Sequence, residues 1–343
     1  MANDPAPNSA KPMEQVLYEV KKVIVGQDVL LERLIVALLA RGHVLVEGVP
    51  GLAKTLSIKT LAASIGGEFK RVQFTPDLVP ADLTGTRIYN QRTGEFQTSL
   101  GPVFTNLLLA DEINRAPAKV QSALLEVMQE RQVTIGLETH MVPEPFLVLA
   151  TQNPIESEGT YQLPEAQQDR FMLKVLVGYP SATEEFVIAE RMTGALEKTH
   201  EVIDRDQLLA LQRSADAVYV DPALIDYAVS LVRATRNPGS VGHPELGRFL
   251  AFGASPRATI NLILAGRALA LLRGRDYALP QDVRDLALDV MRHRLVLSYE
   301  ALSERVSADD ILQKILAAVP LPKVPLYESN HPTPVGLRSS ANA

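Results

Sequence analysis

The chain contains no cysteine. Disulfide staples and thiolate metal sites are thereby excluded, and a reducing compartment suits it. Histidine is sparse: His43, His140, His200, His243, His293 and His331 lie far apart without a paired spacing, so no histidine metal site is expected. Long hydrophobic runs are missing too. None approaches the ~20 residues needed to span a bilayer, and the opening Met1-Ala2-Asn3-Asp4-Pro5 lacks the basic and then apolar layout of a secretion signal. A cytoplasmic location without membrane insertion is the expectation. Nor is there an excess of positive charge: 34 Lys and Arg against 40 Asp and Glu give a net −6, whereas proteins that live on nucleic-acid phosphates carry a basic footprint. Nucleic acid is therefore a disfavoured partner.

What is present fits a folded chain, with 46% apolar and 22% charged residues. Its 343 residues are enough for two domains of ordinary size. Residues 1–12 and 320–343, rich in Pro with few large apolar residues, read as tails. Short apolar runs at His43–Val46, Lys70–Phe74, Leu107–Ala110, Phe146–Ala150 and Met172–Val177 alternate with amphipathic stretches. That alternation is the βα pattern of an α/β fold with a five-stranded, doubly wound parallel sheet, expected over residues 13–200. Arg87–Thr98 and Gln132–Val142 break the alternation and read as inserted hairpins. Beyond residue 200 the spacing turns helical, around 224–235 and at 256–273, 281–294 and 308–318, which predicts a separate all-helical lid over 201–319.

The stretch "EGVPGLAKT", residues 47–55, follows the first strand and opens a helix. Unpaired N–H groups at such a junction converge on one spot, and the helix dipole favours an anion there. Gly48 and Gly51 allow the bend and the close approach of phosphate oxygens, Lys54 reaches the β and γ phosphates, and the Thr55 hydroxyl ligates Mg²⁺. Ala53 stands where the pattern G-x-x-x-x-G-K-[ST] has its second glycine. It is expected inside the first helical turn, where φ is negative and alanine is comfortable.

The third run ends in Asp111-Glu112. Ligands of an open parallel sheet bind beyond the carboxyl ends of its strands, so one carboxylate is expected to hold the magnesium shell and Glu112 to orient and deprotonate the attacking water. The plain alternative is that Asp111 caps the next helix. Asn153, at the end of the fourth run, is a candidate partner of the γ phosphate or the lytic water. Arg170, in "LPEAQQDRF", is expected at the surface, where it would act as a finger in trans if a neighbouring subunit's nucleotide abuts it. In "GASPRA", Ser255 is the expected N-cap, Pro256 the first helical residue, and Arg257 a cation opposed to the helix dipole. ATP phosphate is the anion expected to offset Arg257, with a salt bridge to a local carboxylate as the alternative.

Together these motifs resemble the AAA+ ATPases, and within them the MoxR family, from about Val23 to about Leu295. "VIVGQDVLLERLIVALLARGHVLVEGVPGLAKT", "QFTPDLVPADLTG", "LADEINRAPAKVQSALLEVMQERQVTIG" and "ATQNPIESEGTYQLPEAQQDRF" carry the resemblance along with "GASPRA". It implies a P-loop αβα core with a helix-2 insert, a second hairpin and a helical lid. It implies Walker A at Gly48-Val49-Pro50-Gly51-Leu52-Ala53-Lys54-Thr55 with Leu56 following, Walker B at Asp111 and Glu112, sensor 1 at Asn153, an arginine finger at Arg170 and sensor 2 at Arg257. It places Val25, Gly26 and Gln27 against adenine and turns Arg115 toward a neighbouring subunit. It further implies a hexameric ring with ATP and Mg²⁺ at subunit interfaces, working on proteins that carry von Willebrand A domains, in metal insertion or complex maturation. The alternatives are a nucleic-acid motor whose hairpins enter a central pore and a nucleotide-gated scaffold with little turnover.

Overall fold

A computed structural model describes residues 10–49, 51–153, 160–194 and 197–322. The chain opens with two helices, α1 (Ala10–Val23) and α2 (Asp28–Leu39). Next come β1 (Val44–Glu47), α3 (Lys54–Ser64), β2 (Phe69–Gln73) and the short α4 (Pro80–Thr84). A hairpin of β3 (Gly85–Asn90) and β4 (Glu95–Leu100) precedes β5 (Leu107–Asp111) and α5 (Ala118–Glu130). A second hairpin, β6 (Gln132–Ile135) and β7 (Glu138–Met141), leads to β8 (Leu147–Gln152), α6 (Glu165–Gln168), β9 (Leu173–Leu176) and α7 (Ala182–Thr193).

The five expected runs form one sheet in the order β2-β5-β8-β1-β9, and every neighbouring pair is parallel. Strands β1, β5 and β8 are buried along nearly their whole length, which is why they read as continuous apolar runs rather than alternating ones. Both hairpins stand where they were expected, outside this sheet. The base of the first is closed by Gly85, at φ 98° and ψ 175°. A Cβ there would lie 2.2 Å from the Ser99 carbonyl oxygen, so only glycine fits.

Downstream lie α8 (Arg205–Ala217), α9 (Pro222–Arg236), β10 (Leu250–Phe252), α10 (Pro256–Leu272), α11 (Pro280–Met291), β11 (Val296–Leu297), α12 (Tyr299–Glu304) and α13 (Ala308–Ala318). The region is helical as expected, with one addition: β10 and β11 pair antiparallel, and at three and two residues they are too short to show a period in sequence. The separation expected at residue 200 is one of secondary structure, not of packing. Nine of the twelve residues of α2 are buried, because α2 touches β1 and β9 on one side and α8 and α10 on the other. One apolar cluster therefore runs from Met13 through the α2 leucines to Val319. At the amino end α1 begins at Ala10, inside the segment expected to be a tail; residues 1–9 and 323–343 lie outside the described residues.

Candidate functional site

Strands β1, β5 and β8 deliver their carboxyl ends to one cavity of about 420 Å³, lined by Lys54, Thr55, Asp111, Glu112, Asn153 and the loop residues Gly51 to Ala53, among others. The loop is built as the sequence suggested at two positions. Gly51 sits at φ 86°, and a Cβ on Gly48 would come within 2.7 Å of the Val177 carbonyl oxygen. Pro50 lies outside the described residues. At Ala53 the expectation fails: the residue is the N-cap of α3, left-handed at φ 55° and ψ 18°, not a comfortable first-turn alanine. The turn requires that conformation whichever residue occupies it, and alanine adopts it under strain.

Lys54 bends back, its Nζ donating to the Gly48 carbonyl oxygen at 2.7 Å. Burial lowers its pKa from the ordinary lysine value, against the opposing pull of Asp111 and Glu112. The Thr151 hydroxyl donates to Asp111 Oδ1 at 2.6 Å and accepts from the Glu112 backbone N–H at 2.9 Å, so one side chain of β8 aligns both acidic residues. Neither caps a helix through its side chain. Asp111 closes β5, and Glu112 precedes the 3₁₀ turn Ile113–Arg115 without a side-chain cap bond. Glu112 is itself left-handed, at φ 56° and ψ 50°, a conformation that costs a residue with a Cβ on the order of 1–3 kcal/mol and marks functional turns.

Sequence reasoning missed Thr151 and two further residues of this cavity. Arg71 and Gln73 sit on one face of β2, and the parallel register sets Gln73 opposite Asp111. Arg71 donates to Asp111 Oδ2 from Nε (3.0 Å) and Nη2 (2.7 Å), and from Nη2 to Gln73 Oε1 (2.7 Å). Gln73 Nε2 donates to Glu112 Oε2 at 2.7 Å, and Arg115 Nε lies 3.2 Å from the same oxygen. The only signal was their polarity, at positions 71 and 73, on a strand otherwise expected to be buried.

A second cavity of about 490 Å³ adjoins the first, sharing Gly51, Leu52, Ala53 and Leu56 with it. Its other walls include Ile24, Val25, Gln27, Ile188 and Met192, so it is apolar where the first is charged. Gln27, left-handed at φ 56°, follows Gly26 at φ 67° and donates through Nε2 to the Gly178 carbonyl oxygen at 3.4 Å. Arg191 Nη1 bonds the Lys21 and Lys22 carbonyl oxygens at 3.0 and 2.7 Å, tying α7 to the end of α1 along this cavity. A charged end and an apolar end joined across a glycine-bearing loop have the shape and polarity of a nucleotide. The residues also fit a hard divalent cation. The Asp111 carboxylate and Thr55 hydroxyl are oxygen donors, and Asp111 already holds a cationic group, Arg71.

Arg170 and Arg257 line neither cavity. They share a third one of about 220 Å³ with Asp169, Gln129 and Ile260. Ser255 is the N-cap of α10 and Pro256 its first residue, as expected, and a local carboxylate, Asp169, lies beside Arg257. Arg257 Nη1 is 3.5 Å from Asp169 Oδ2, and Asp169 is held more firmly by Arg294 Nε at 2.8 Å and by the Ser255 hydroxyl.

This sheet order, loop and acidic strand end, followed by a helical lid, define an AAA ATPase. The family model for ATPases associated with various cellular activities (AAA) matches residues 43–173, and that for the AAA lid domain matches 247–315. The chain is 54% identical to "Chaperone MoxR1" of Mycobacterium tuberculosis, over 96% of this chain and 88% of the relative. It is 33% identical to "Protein MoxR" of Methylorubrum extorquens, over 89% and 93%. A crystal structure of a candidate ATPase from Cytophaga hutchinsonii superposes with a TM-score of 0.87 at 46% identity, covering 92% of this chain and 96% of that one. The chain belongs to the MoxR family of AAA+ ATPases and hydrolyses ATP.

Proposed function

We propose that the chain hydrolyses ATP with Mg²⁺ in the cavity of Lys54 and Asp111 and uses the turnover to remodel a partner protein. The observation that carries the chemistry is the meeting of Lys54, Thr55, Asp111, Glu112 and Asn153 in one cavity. In this reading residues 13–200 are the nucleotide-binding core and 201–319 the lid. The glycine loop Gly48–Thr55, including Pro50, cradles the phosphates, with Val49 and Leu56 flanking it. Lys54 leaves Gly48 for the β and γ phosphates. Val25, Gly26 and Gln27 take adenine in the apolar cavity. Asp111 and Thr55 hold the magnesium ion, which draws charge from the phosphates when bound. Glu112 accepts a proton from water that it orients together with Asn153.

Arg170 and Arg257 share a surface cavity apart from Lys54, which supports their acting together on the nucleotide of a neighbouring subunit; Arg115, beside Glu112, would face a neighbouring subunit from the Lys54 side. A ring follows, hexameric by analogy with AAA+ proteins. The chaperone in the name of the mycobacterial relative supports protein remodelling; a von Willebrand A partner and a role in metal insertion rest on the family resemblance. A cytoplasmic setting suits an ATP consumer, and among the described residues no helix is long and apolar enough to cross a membrane.

Glu112→Gln tests the chemistry. It should bind ATP with Mg²⁺ as the native chain does and lose turnover by roughly 10²-fold or more, read by calorimetry and phosphate release; joint loss of binding and rate would remove the base role. For the arginines, Arg170→Ala chains mixed with Lys54→Ala chains should regain activity through mixed interfaces. Mixed assemblies without any recovery would show that Arg170 does not work in trans.

A further inference from the structure

Asp111 needs no help from Arg71 to keep its place. Its backbone continues β5 opposite β2, with Gln73 as its partner, and its Oδ1 takes the Thr151 hydroxyl proton at 2.6 Å. Only Oδ2 faces Arg71, whose two nitrogens both converge on that single oxygen, at 3.0 and 2.7 Å. The contact is also cheap to break. Arg71 is about half exposed, with 48% of its side chain open to solvent against 16% for Asp111, so water can take over the guanidinium when it leaves. Asp111 and Glu112 each have a cation beside them, Arg71 on Asp111 and Arg115 on Glu112, and Lys54 lines the same cavity.

We propose that Arg71 is a resident stand-in for the metal: it neutralises Asp111 Oδ2 in the nucleotide-free chain and swings out toward solvent when a divalent cation arrives with the nucleotide. The inference rests on the metal reading of Asp111 given above. A divalent ion among hard oxygens competes well against a flexible, half-exposed guanidinium. Releasing Arg71 also frees Gln73 Oε1 of its donor, while the Gln73 amide keeps its bond to Glu112. Arg71 thereby sets how much Mg²⁺ is needed for loading, because each loading event must displace one positive charge from the carboxylate.

The test measures Mn²⁺ binding by electron paramagnetic resonance, on the full chain saturated with the β,γ-imido analogue of ATP. In Arg71→Ala the half-saturating Mn²⁺ concentration should fall roughly tenfold, the size expected when a monovalent competitor is removed from a partly exposed carboxylate. Arg71→Lys keeps a competing cation and should stay within about threefold of the native value. Both variants should melt close to the native chain, because Arg71 is half exposed and Asp111 keeps its bond from the Thr151 hydroxyl. An unchanged or raised Mn²⁺ requirement in Arg71→Ala would overturn the stand-in role and make Arg71 a positioning residue for Asp111. If the native chain with the analogue takes up no Mn²⁺ at all, the metal reading itself fails, and this inference with it.

Discussion

Ala53 shows how one side chain sets the energetics of the phosphate loop. At φ 55° its Cβ crowds the backbone, a penalty of roughly 1–2 kcal/mol for an L-residue, while glycine would cost the unfolded chain about 0.4–1 kcal/mol of entropy. The first outweighs the second, so Ala53→Gly should stabilise the chain by about 0.5–1 kcal/mol, visible as a raised denaturant midpoint with an unchanged slope. A lowered midpoint would contradict the left-handed turn. His43 carries a different residue-scale effect. It is fully enclosed beside β1: its Nδ1 accepts from the Val148 N–H at 3.0 Å and its Nε2 donates to the Met128 carbonyl oxygen at 3.2 Å. Burial, reinforced by the nearby Arg131 charge, lowers its pKa from 6.5 to about 3. His293 is buried and lowered in the same way. Because the folded-state value is the lower one, the contribution is complete above pH 6.5 and is lost as pH falls toward 3, by about 1.4 kcal/mol per pH unit for each proton taken up on unfolding. His43→Gln should flatten that slope by about one proton between pH 6.5 and 5, measured by urea unfolding at several pH values; a slope equal to the native one would mean that His43 is not held neutral.

At the scale of elements, the strands were legible to within two residues: burial on both faces leaves an unbroken apolar run in β1, β5 and β8, while the partly buried β2 and β9 keep enough apolar positions around their charged residues to be seen. Hairpins were legible from Asn90 to Gly94 and from Gly136, where the chain must turn, and Gly94 and Gly136 do take positive φ. What stayed hidden depends on register. Arg71 lies forty residues from Asp111 in sequence, and only the parallel pairing of β2 with β5 brings them together. A charged residue on a short strand gives no sign of which strand lies beside it. The left-handed turns at Ala53 and Glu112 were hidden for a related reason: the fold imposes them on residues whose own preference is otherwise. Arg257 was legible as a cation in conflict with its helix dipole, but the sequence did not reveal that Asp169, on a loop eighty-eight residues earlier, would reach it.

Across the whole molecule, Asp169 is where the nucleotide-binding part and the lid are stitched together. It lies just after α6 and accepts from three lid residues: Arg294, Ser255 and, at longer range, Arg257. Arg294 has no exposed side-chain surface. Burial lowers its pKa from the usual arginine value to about 10 despite the opposing Asp169 charge, which still leaves it a cation at neutral pH. Its Nη2 also donates to the Phe171 carbonyl oxygen at 2.6 Å, so one buried guanidinium clasps the segment that bears Arg170. Removing the carboxylate would strand that charge, an imbalance that typically costs about 3–5 kcal/mol, whereas replacing both partners by apolar groups is often close to neutral. Asp169→Ala should therefore lower the unfolding free energy by several kcal/mol, and Asp169→Ala with Arg294→Met should recover most of the loss in urea unfolding. A double variant as unstable as the sum of the two single ones would mean that the two side chains act independently and that the lid is held by its other contacts, the apolar seam along α2 and bonds such as Arg33 to Asp289 and Arg292 to the Lys174 carbonyl oxygen.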